Sequence, residues 1–182
     1  IEKSRIYYME GYLAASPTGL QAALKGRELA VAAKVPLALT LSDVSMIQFC
    51  RAGLDAMLGS NVDYLFCNLE EAQVWCGTTE LPAIRLKLQA LATTVCMTMG
   101  PEGCEILQAG QTWHVPATPV KAVDTNGAGD MFAGAFLYAI THDEGIVKVS
   151  GEVGSGKTML CRVLIERLPG SVETIYLANP SL

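Results

Sequence analysis

The chain has 182 residues, of which 51% are hydrophobic and 17% charged, a composition that predicts a globular domain rather than a disordered chain. The net charge is −5 and no part of the chain is basic, so we expect no nucleic-acid partner. No apolar run approaches the roughly 18 residues that a membrane span needs, so we expect no direct membrane insertion.

Six cysteines are spread along the sequence without a CxxC pair or a neighbouring set of histidines. Several fall inside apolar patterns, where a thiol behaves as a small hydrophobic group. Buried, reduced thiols are therefore favoured over a disulfide framework or a metal cluster, and this favours a cytoplasmic location. The chain begins at Ile1 rather than at a methionine and opens almost directly into a strand, which favours a cut end.

Strands and helices alternate along the first hundred residues. Aromatic and β-branched residues predict a strand over 5–10, and Ser16-Pro17 predicts the start of a helix that runs to about residue 34. The alternation continues with strands over 36–41, 62–67 and 95–99 and with helices around 47–57, after Asn68 and over 81–91. This order predicts an α/β fold with a mostly parallel sheet flanked by helices.

The next part of the sequence predicts a change of pattern. Strands over 103–107 and 112–115, joined at Ala109-Gly110, predict an antiparallel hairpin. A helix is then predicted over 129–141.

The segment Asp124-Thr-Asn-Gly-Ala-Gly-Asp130 precedes that helix. Its residues Gly127, Ala128 and Gly129 allow backbone N–H groups to converge at a helix start, where the helix dipole also favours an anion. Asp130 is placed to accept a hydroxyl proton during phosphoryl transfer. From these residues alone, a plain helix N-terminus is the alternative.

Three motifs in the correct order make the chain resemble the PfkB family of carbohydrate and nucleoside kinases. Residues 124–130 are an intact copy of the family signature Asp-Thr-x-Gly-Ala-Gly-Asp, Asn68-Leu-Glu-Glu71 matches its Asn-x-x-Glu motif, and 98–103 resembles its strand–turn segment beside the nucleotide. Glu10-Gly11-Tyr12 and Ser42-Asp43 resemble the adenosine-kinase-like branch.

The resemblance covers about residues 1–142 and implies a ribokinase-like fold. That fold is truncated here, because the family's N-terminal half, with its substrate-binding Gly-Gly motif and its β lid, has no counterpart in the sequence. Without the lid, water is poorly excluded from the reacting groups.

The implied activity is transfer of the γ-phosphate of ATP to a hydroxyl of a nucleoside or sugar. Asp130 would be the catalytic base, and Gly127, Ala128 and Gly129 would form the anion hole. Asn68 and Glu71 would hold Mg²⁺ with its water shell. The residues implied in cofactor binding are Asp124, Thr125, Asn126, Thr98, Gly100 and Gly103.

Two of these assignments have structural alternatives. Glu71 is interpreted either as a metal residue or as part of a solvated helix face, since Glu70 is equally available. Gly100 and Gly103 either approach ATP through the backbone or serve only as turn residues.

A second nucleotide loop follows near the end of the chain. Ile146-Val-Lys-Val149 predicts a strand, and Gly151-x4-Gly156-Lys157-Thr158 followed by a helical pattern predicts a P-loop. Amides around Gly154 and Gly156 would wrap the β-phosphate, Lys157 would reach the β- and γ-oxygens, and Thr158 would bind Mg²⁺.

Residues 144–182 resemble the start of the ATPase domain of secretion and MSHA-pilus assembly proteins. We therefore expect a partial kinase domain over 1–142 and a partial P-loop NTPase segment over 143–182, appended as a β-P-loop-α-β piece. Three functions follow: a PfkB-type kinase fragment as the leading hypothesis, an ATPase segment of a secretion or pilus machine, or an inactive fusion of two fragments.

Overall fold

A computed structural model describes residues 1–118 and 125–142 of the protein. Their strands are β1 (Tyr7–Glu10), β2 (Leu37–Thr40), β3 (Val62–Asn68), β4 (Ala92–Thr98), β5 (Cys104–Gln108) and β6 (Gln111–Val115). Their α-helices are α1 (Pro17–Ala32), α2 (Val44–Phe49), α3 (Arg51–Leu58), α4 (Leu69–Cys76), α5 (Leu81–Gln89) and α6 (Ala128–Thr141). Short 3₁₀ helices cover Gly11–Ala15 and Gly100–Glu102.

The six strands form one sheet in the order of the sequence, from β1 to β6. Strands β1, β2 and β3 are parallel, with Met9 opposite Leu39 and Leu39 opposite Leu65. These three side chains are fully buried. Consecutive residues Leu37, Ala38 and Leu39 are also buried, so β2 is covered on both faces, as in α/β proteins.

The strands β5 and β6 are joined by Ala109 and Gly110, which both have a positive φ, at 51° and 74°. Two such residues form the tight turn that suits an antiparallel hairpin. The sheet is therefore mixed, and the predicted α/β fold with a hairpin after the parallel strands is confirmed.

Two compact units divide the described residues. The first contains Ile1–Met97 with Ile106–Thr112, and the second contains Thr98–Glu105 with the described residues from Trp113 onward. The first unit holds the parallel strands and helices α1 to α5. The second holds the turn after β4 and helix α6.

The segment around 47–57 forms two helices rather than one. Helix α2 ends at Phe49, and its C-cap is Cys50, which has φ −122° and ψ 22° and whose backbone N–H bonds to the carbonyl oxygen of Met46. Helix α3 starts at the next residue. Ile47, Leu54 and Met57 are all buried, so the apolar spacing identified the buried face correctly but not the one-residue interruption. The 3₁₀ helix at Gly11–Ala15 was likewise not predicted.

Five of the six cysteines lie among the described residues, all as thiols. Four of them are buried and Cys50 is half-buried, in line with the predicted small-hydrophobe role. Burial raises the pKa of the Cys104 thiol to about 12, which keeps it protonated and unreactive at neutral pH. None of the described helices is both long and apolar enough to cross a membrane.

Helix α1 begins where the sequence predicts, because the Ser16 side chain accepts the backbone N–H of Gly19 at 3.0 Å and Pro17 occupies the first turn. Its buried Gly26 lies against the ring of Tyr7 on β1. The Tyr7 hydroxyl donates to the Ala23 carbonyl oxygen at 3.2 Å. The helix therefore packs against the Tyr7 side chain at a distance that only a glycine allows.

We expect Gly26→Ala to lower the free energy of unfolding by about 1–2 kcal/mol, because the new methyl group would overlap the Tyr7 ring. The cost of that overlap exceeds the stabilisation that alanine brings through its higher helix propensity. Gly134→Ala in α6 is the matched control, since a Cβ there meets open space and should stabilise the helix by about 0.5–1 kcal/mol. Urea unfolding of both variants measures the difference. Equal effects in the two helices would contradict the proposed close approach.

Candidate active site

The carboxyl ends of β1, β2 and β3 bring several polar residues to one edge of the sheet. The register pairs Glu10 with Thr40 and Thr40 with Phe66, so the three strands end close together. The Ser42 hydroxyl donates to Oε2 of Glu10 at 2.9 Å, and the Tyr8 hydroxyl donates to Oε1 of Glu10 at 2.7 Å. In parallel α/β sheets this edge is where ligands bind.

Glycine is required at the turn that follows β1. A Cβ on Gly11 would lie 2.7 Å from the Thr40 carbonyl oxygen and 2.9 Å from Oγ of Ser42. The segments Glu10-Gly11 and Ser42-Asp43, which carried the resemblance to adenosine-kinase-like proteins, are therefore in direct contact. Their contact was not predicted, although both follow the end of a parallel strand, which is the signal that would have paired them.

Asn68 and Glu71 form a reciprocal capping box at the start of α4. Oδ1 of Asn68 accepts the Glu71 backbone N–H at 2.8 Å, and Oε2 of Glu71 accepts the Asn68 backbone N–H at 3.0 Å. A third bond joins Nδ2 of Asn68 to Oε1 of Glu71 at 2.7 Å. The Asn-x-x-Glu motif is thus a rigid unit in which the two side chains hold each other in place.

The Glu71 carboxyl is buried, with the residue only 5% exposed, whereas Glu70 is exposed. The interpretation of Glu71 as part of a solvated helix face is therefore wrong. Burial raises the pKa of the Glu71 carboxyl to about 7, the Asn68 backbone N–H lowers it, and the nearby Asp43 and Glu70 carboxylates raise it again. The Glu71 carboxyl thus lies near two other carboxylates and accepts two hydrogen bonds, from the backbone N–H and from Nδ2 of Asn68.

The donor chemistry of this pair suits magnesium bound through water. Within residues 1–118 and 125–142, no group of three or more Asp, Glu, His or Cys side chains is close enough to enclose a metal ion directly. Mg²⁺ commonly keeps several waters and uses one or two carboxylates together with substrate phosphates. A carboxylate oxygen that accepts one hydrogen bond still has a lone pair for a metal-bound water. The Asn68–Glu71 pair therefore suits contact with the water shell of Mg²⁺, and it does not form a closed set of direct metal ligands.

Helix α6 starts at the glycine-rich segment, and its N-cap is Gly127 in the left-handed conformation, with φ 70°. The Ala128 backbone N–H bonds to the Thr125 carbonyl oxygen at 3.1 Å, which closes the turn. The N-cap position supplies no side-chain acceptor, as is also the case for α3 and α5. At the starts of α1, α2 and α4 the N-cap side chain does accept a backbone N–H. An anion is the natural acceptor for N–H groups at such a helix start.

The Asp130 side chain lies at this helix start and is exposed. Its Oδ2 is 3.9 Å from the position that a Cβ on Gly127 would occupy, so the carboxylate lies beside the left-handed glycine. The buried face of α6 is formed by other residues, namely Phe132, Ala133, Ala135, Phe136 and Ala139. The carboxylate is therefore directed away from apolar packing and is accessible to a reactant.

Thr98, Gly100 and Gly103 lie at the turn between β4 and β5. The Met99 backbone N–H bonds to the Gly103 carbonyl oxygen at 2.8 Å, and both glycines have positive φ, at 56° and 101°. A Cβ on Gly103 would overlap the Val115 carbonyl oxygen. The turn itself thus requires glycine at these positions, and backbone contact with ATP stays a prediction.

The remaining predicted site residues lie partly within and partly outside the described residues. Asp124 and the P-loop residues Gly154, Gly156, Lys157 and Thr158 lie outside the described residues, as does the whole segment 143–182. Thr125, Asn126 and Gly129 are described and exposed, at the start of α6.

The model of the pfkB family carbohydrate kinases matches residues 1–155, which is most of the chain. The chain therefore belongs to this family. The matched range extends beyond residue 143, where the sequence predicts a second segment, and the resemblance of 144–182 to secretion ATPases remains a prediction.

Particular relatives agree with this class. Adenosine kinase 1 of Arabidopsis thaliana is 30% identical over 162 residues, which cover 80% of this chain and 46% of that protein. Ribokinase of Mus musculus is 34% identical over 99 residues, or 50% of this chain and 31% of that protein.

Solved structures show the same fold. The adenosine kinase from Sinorhizobium meliloti superposes with a TM-score of 0.74 at 27% identity, over 87% of this chain and 47% of that one. A probable sugar kinase from Rhizobium etli CFN 42 gives a TM-score of 0.72 at 31% identity, over 78% and 43%. The chain has an α/β ribokinase-like fold and spans less than half the length of these relatives.

The pH dependence of stability tests the environment of Glu71. Since its pKa is about 7 in the folded protein and 4.5 without burial, the folded state binds the extra proton between these values. The stability that this proton supplies is complete below about pH 4.5 and is lost as the pH rises through about 7. We expect the free energy of unfolding of Glu71→Gln to fall less steeply over this range, measured by urea unfolding with a chelator present.

The exposed neighbour provides the control for that measurement. Glu70→Gln should keep most of the wild-type slope, because it removes only one of the charges near Glu71. Identical slopes in the wild type and in Glu71→Gln would show that Glu71 titrates as an ordinary surface carboxyl.

Proposed function

We propose that this chain carries the catalytic part of an ATP-dependent phosphotransferase that moves the γ-phosphate of ATP to a hydroxyl of a nucleoside or sugar. The observation that carries the proposal is the start of α6. There a left-handed Gly127 without a side chain stands at the N-cap, and the exposed Asp130 carboxylate lies beside it. Family membership and relatives named adenosine kinase and ribokinase support the same class of reaction.

The chemistry follows from the charges at that helix start. A phosphoryl group in transfer carries negative charge on its oxygens, and the backbone donors of Gly127 and Gly129, together with the helix dipole, would stabilise it. The Ala128 N–H, the third member of the proposed anion hole, would first have to release or share its bond to the Thr125 carbonyl oxygen. Asp130 accepts the proton of the attacking hydroxyl, so that the oxygen can bond to phosphorus as the ADP oxygen leaves. A small, flexible glycine on either side of Ala128 leaves room for the phosphate to approach.

Magnesium is the expected cofactor beside ATP, and it would neutralise the charge on the phosphates. Asn68 and Glu71 are the residues that would hold its water shell, because they form a rigid pair with a buried carboxylate. A bound cation would also favour the ionised form of Glu71, whose pKa burial raises to about 7.

The nucleotide is proposed to contact further backbone at two places. Thr125 and Asn126, with Asp124, precede the helix start, and Thr98, Gly100 and Gly103 border the turn after β4. We also infer a cytoplasmic protein, because its described cysteines are thiols and most are buried.

Asp130→Asn should reduce phosphoryl transfer from ATP to adenosine or ribose by about 10²–10⁴-fold, because the amide keeps the shape of the side chain but does not accept the proton. Exposure of Asp130 means that folding should be unaffected. Transfer of labelled γ-phosphate to the acceptor measures the change. The nucleotide affinity of the variant should stay near that of the wild type.

Lys157→Ala is the companion variant, because it removes the key side chain of the predicted P-loop. It should retain transfer if the α6 site is the active one. Full activity in Asp130→Asn, loss of activity only in Lys157→Ala, or no transfer by the wild-type chain would each contradict the proposal.

A further inference from the structure

A cavity lies at the opposite end of the parallel strands from Glu10 and the Asn68–Glu71 pair. It has a volume of about 390 Å³, and its polar lining comprises Arg27, Lys34, Ser60, Asn61 and Asp63, beside the apolar residues Val31, Val35, Pro36 and Leu37. Leu37 and Asp63 stand at the beginnings of β2 and β3. Asp63 is five residues before Asn68, or roughly 17 Å along an extended strand.

Arg27 is anchored in this cavity through neutral acceptors. Its Nη2 donates to the carbonyl oxygens of Leu58 and Asn61, at 3.2 and 3.5 Å. Gly59 has φ 61°, and a Cβ at that position would overlap the guanidinium. Nε of Arg27 is buried and has no hydrogen-bond partner in the described part of the chain. The side chain is thus held in place while its positive charge is not neutralised.

Lys34 contributes a second positive charge, and its backbone has a left-handed conformation. It follows α1 with φ 57°, and the bonds from Val35 N–H to the Ala30 carbonyl oxygen, at 2.8 Å, and from Lys34 N–H to that of Val31, at 3.1 Å, complete a Schellman motif. Glycine is the usual residue at this left-handed position, because a side chain there strains the backbone. A residue held in such a conformation is a reason to look for function.

The charges of the cavity do not cancel. Neither Arg27 nor Lys34 takes part in the ion pairs of Lys25 with Glu28 and of Arg51 with Asp55. Asp63 is the acidic residue of the lining, and its Oδ2 accepts the Leu37 backbone N–H at 2.7 Å. Two cations and one engaged carboxylate leave a net positive charge in a partly apolar cavity.

We propose that this cavity is a second ligand site, which binds a small organic anion with a carboxylate or phosphate group and a short apolar body. The oxyanion would lie between Arg27 and Lys34, because a guanidinium and an ammonium are the strongest donors for it. The apolar part would contact Val31, Val35 and Pro36. The site differs from the proposed phosphotransferase site and does not depend on it.

The test titrates the isotope-labelled chain with acetate, with inorganic phosphate and with neutral acetamide, and follows each backbone amide by NMR. Acetate or phosphate should shift the amides of Arg27, Lys34 and Asn61, and acetamide should not. If only one of the two anions, acetate or phosphate, shifts these amides, the ligand carries the corresponding group, a carboxylate or a phosphate. Because each amide is read separately, phosphate at the start of α6 is distinguished from phosphate in the cavity.

Two variants of one position separate ligand binding from helix capping. Lys34→Gly removes the charge and relieves the left-handed strain, so it should raise the unfolding midpoint while anion affinity falls about tenfold. Lys34→Gln keeps the strain and should weaken binding equally. Ala109→Gly is the matched control, since Ala109 also has positive φ, at 51°, and does not line the cavity.

The control should gain stability and bind the anion like the wild type. The proposal is overturned if no oxyanion shifts the cavity amides of the wild type, if acetamide shifts them as acetate does, or if both Lys34 variants bind with unchanged affinity.

Discussion

The structure depends on how helix N-termini satisfy their backbone N–H groups. In α1, α2 and α4, the side chains of Ser16, Asp43 and Asn68 accept these donors at the N-cap. At α6 the N-cap is Gly127, which has no side chain and takes a left-handed conformation. Helices α3 and α5 also lack a side-chain cap, so the proposed chemistry depends on the left-handed Gly127 together with the exposed Asp130 beside it. A helix start of this kind is suited to an anion from outside the chain.

The parallel register of β1, β2 and β3 has a comparable role in the first unit. It places the ends of the strands side by side, so that Glu10 contacts Ser42 and the Asn68–Glu71 box follows directly. The opposite ends of the same strands border the cavity with Arg27 and Lys34. One stretch of sheet therefore carries a negatively charged edge and a positively charged cavity.

Much of this was predictable from local sequence. Strand and helix periodicity, the Ser16 cap and the hairpin turn act over a few residues, and the family motifs mark the Asn68–Glu71 pair and the α6 start. The burial of Glu71 was not predictable, because it depends on elements distant in sequence. The same holds for the unneutralised Arg27, whose environment is set by the α3–β3 connection. The break at Cys50 was missed because apolar spacing continues across it.

The most direct measurement is an NMR titration of the labelled chain with a non-hydrolysable ATP analogue and Mg²⁺, which reads the backbone amides at the start of α6. We expect large shifts at Gly127, Ala128, Gly129 and Asp130, because the terminal phosphate should bind at this helix start. Unchanged amides at these four positions, with nucleotide bound elsewhere on the chain, would show that the start of α6 does not bind the transferred phosphate.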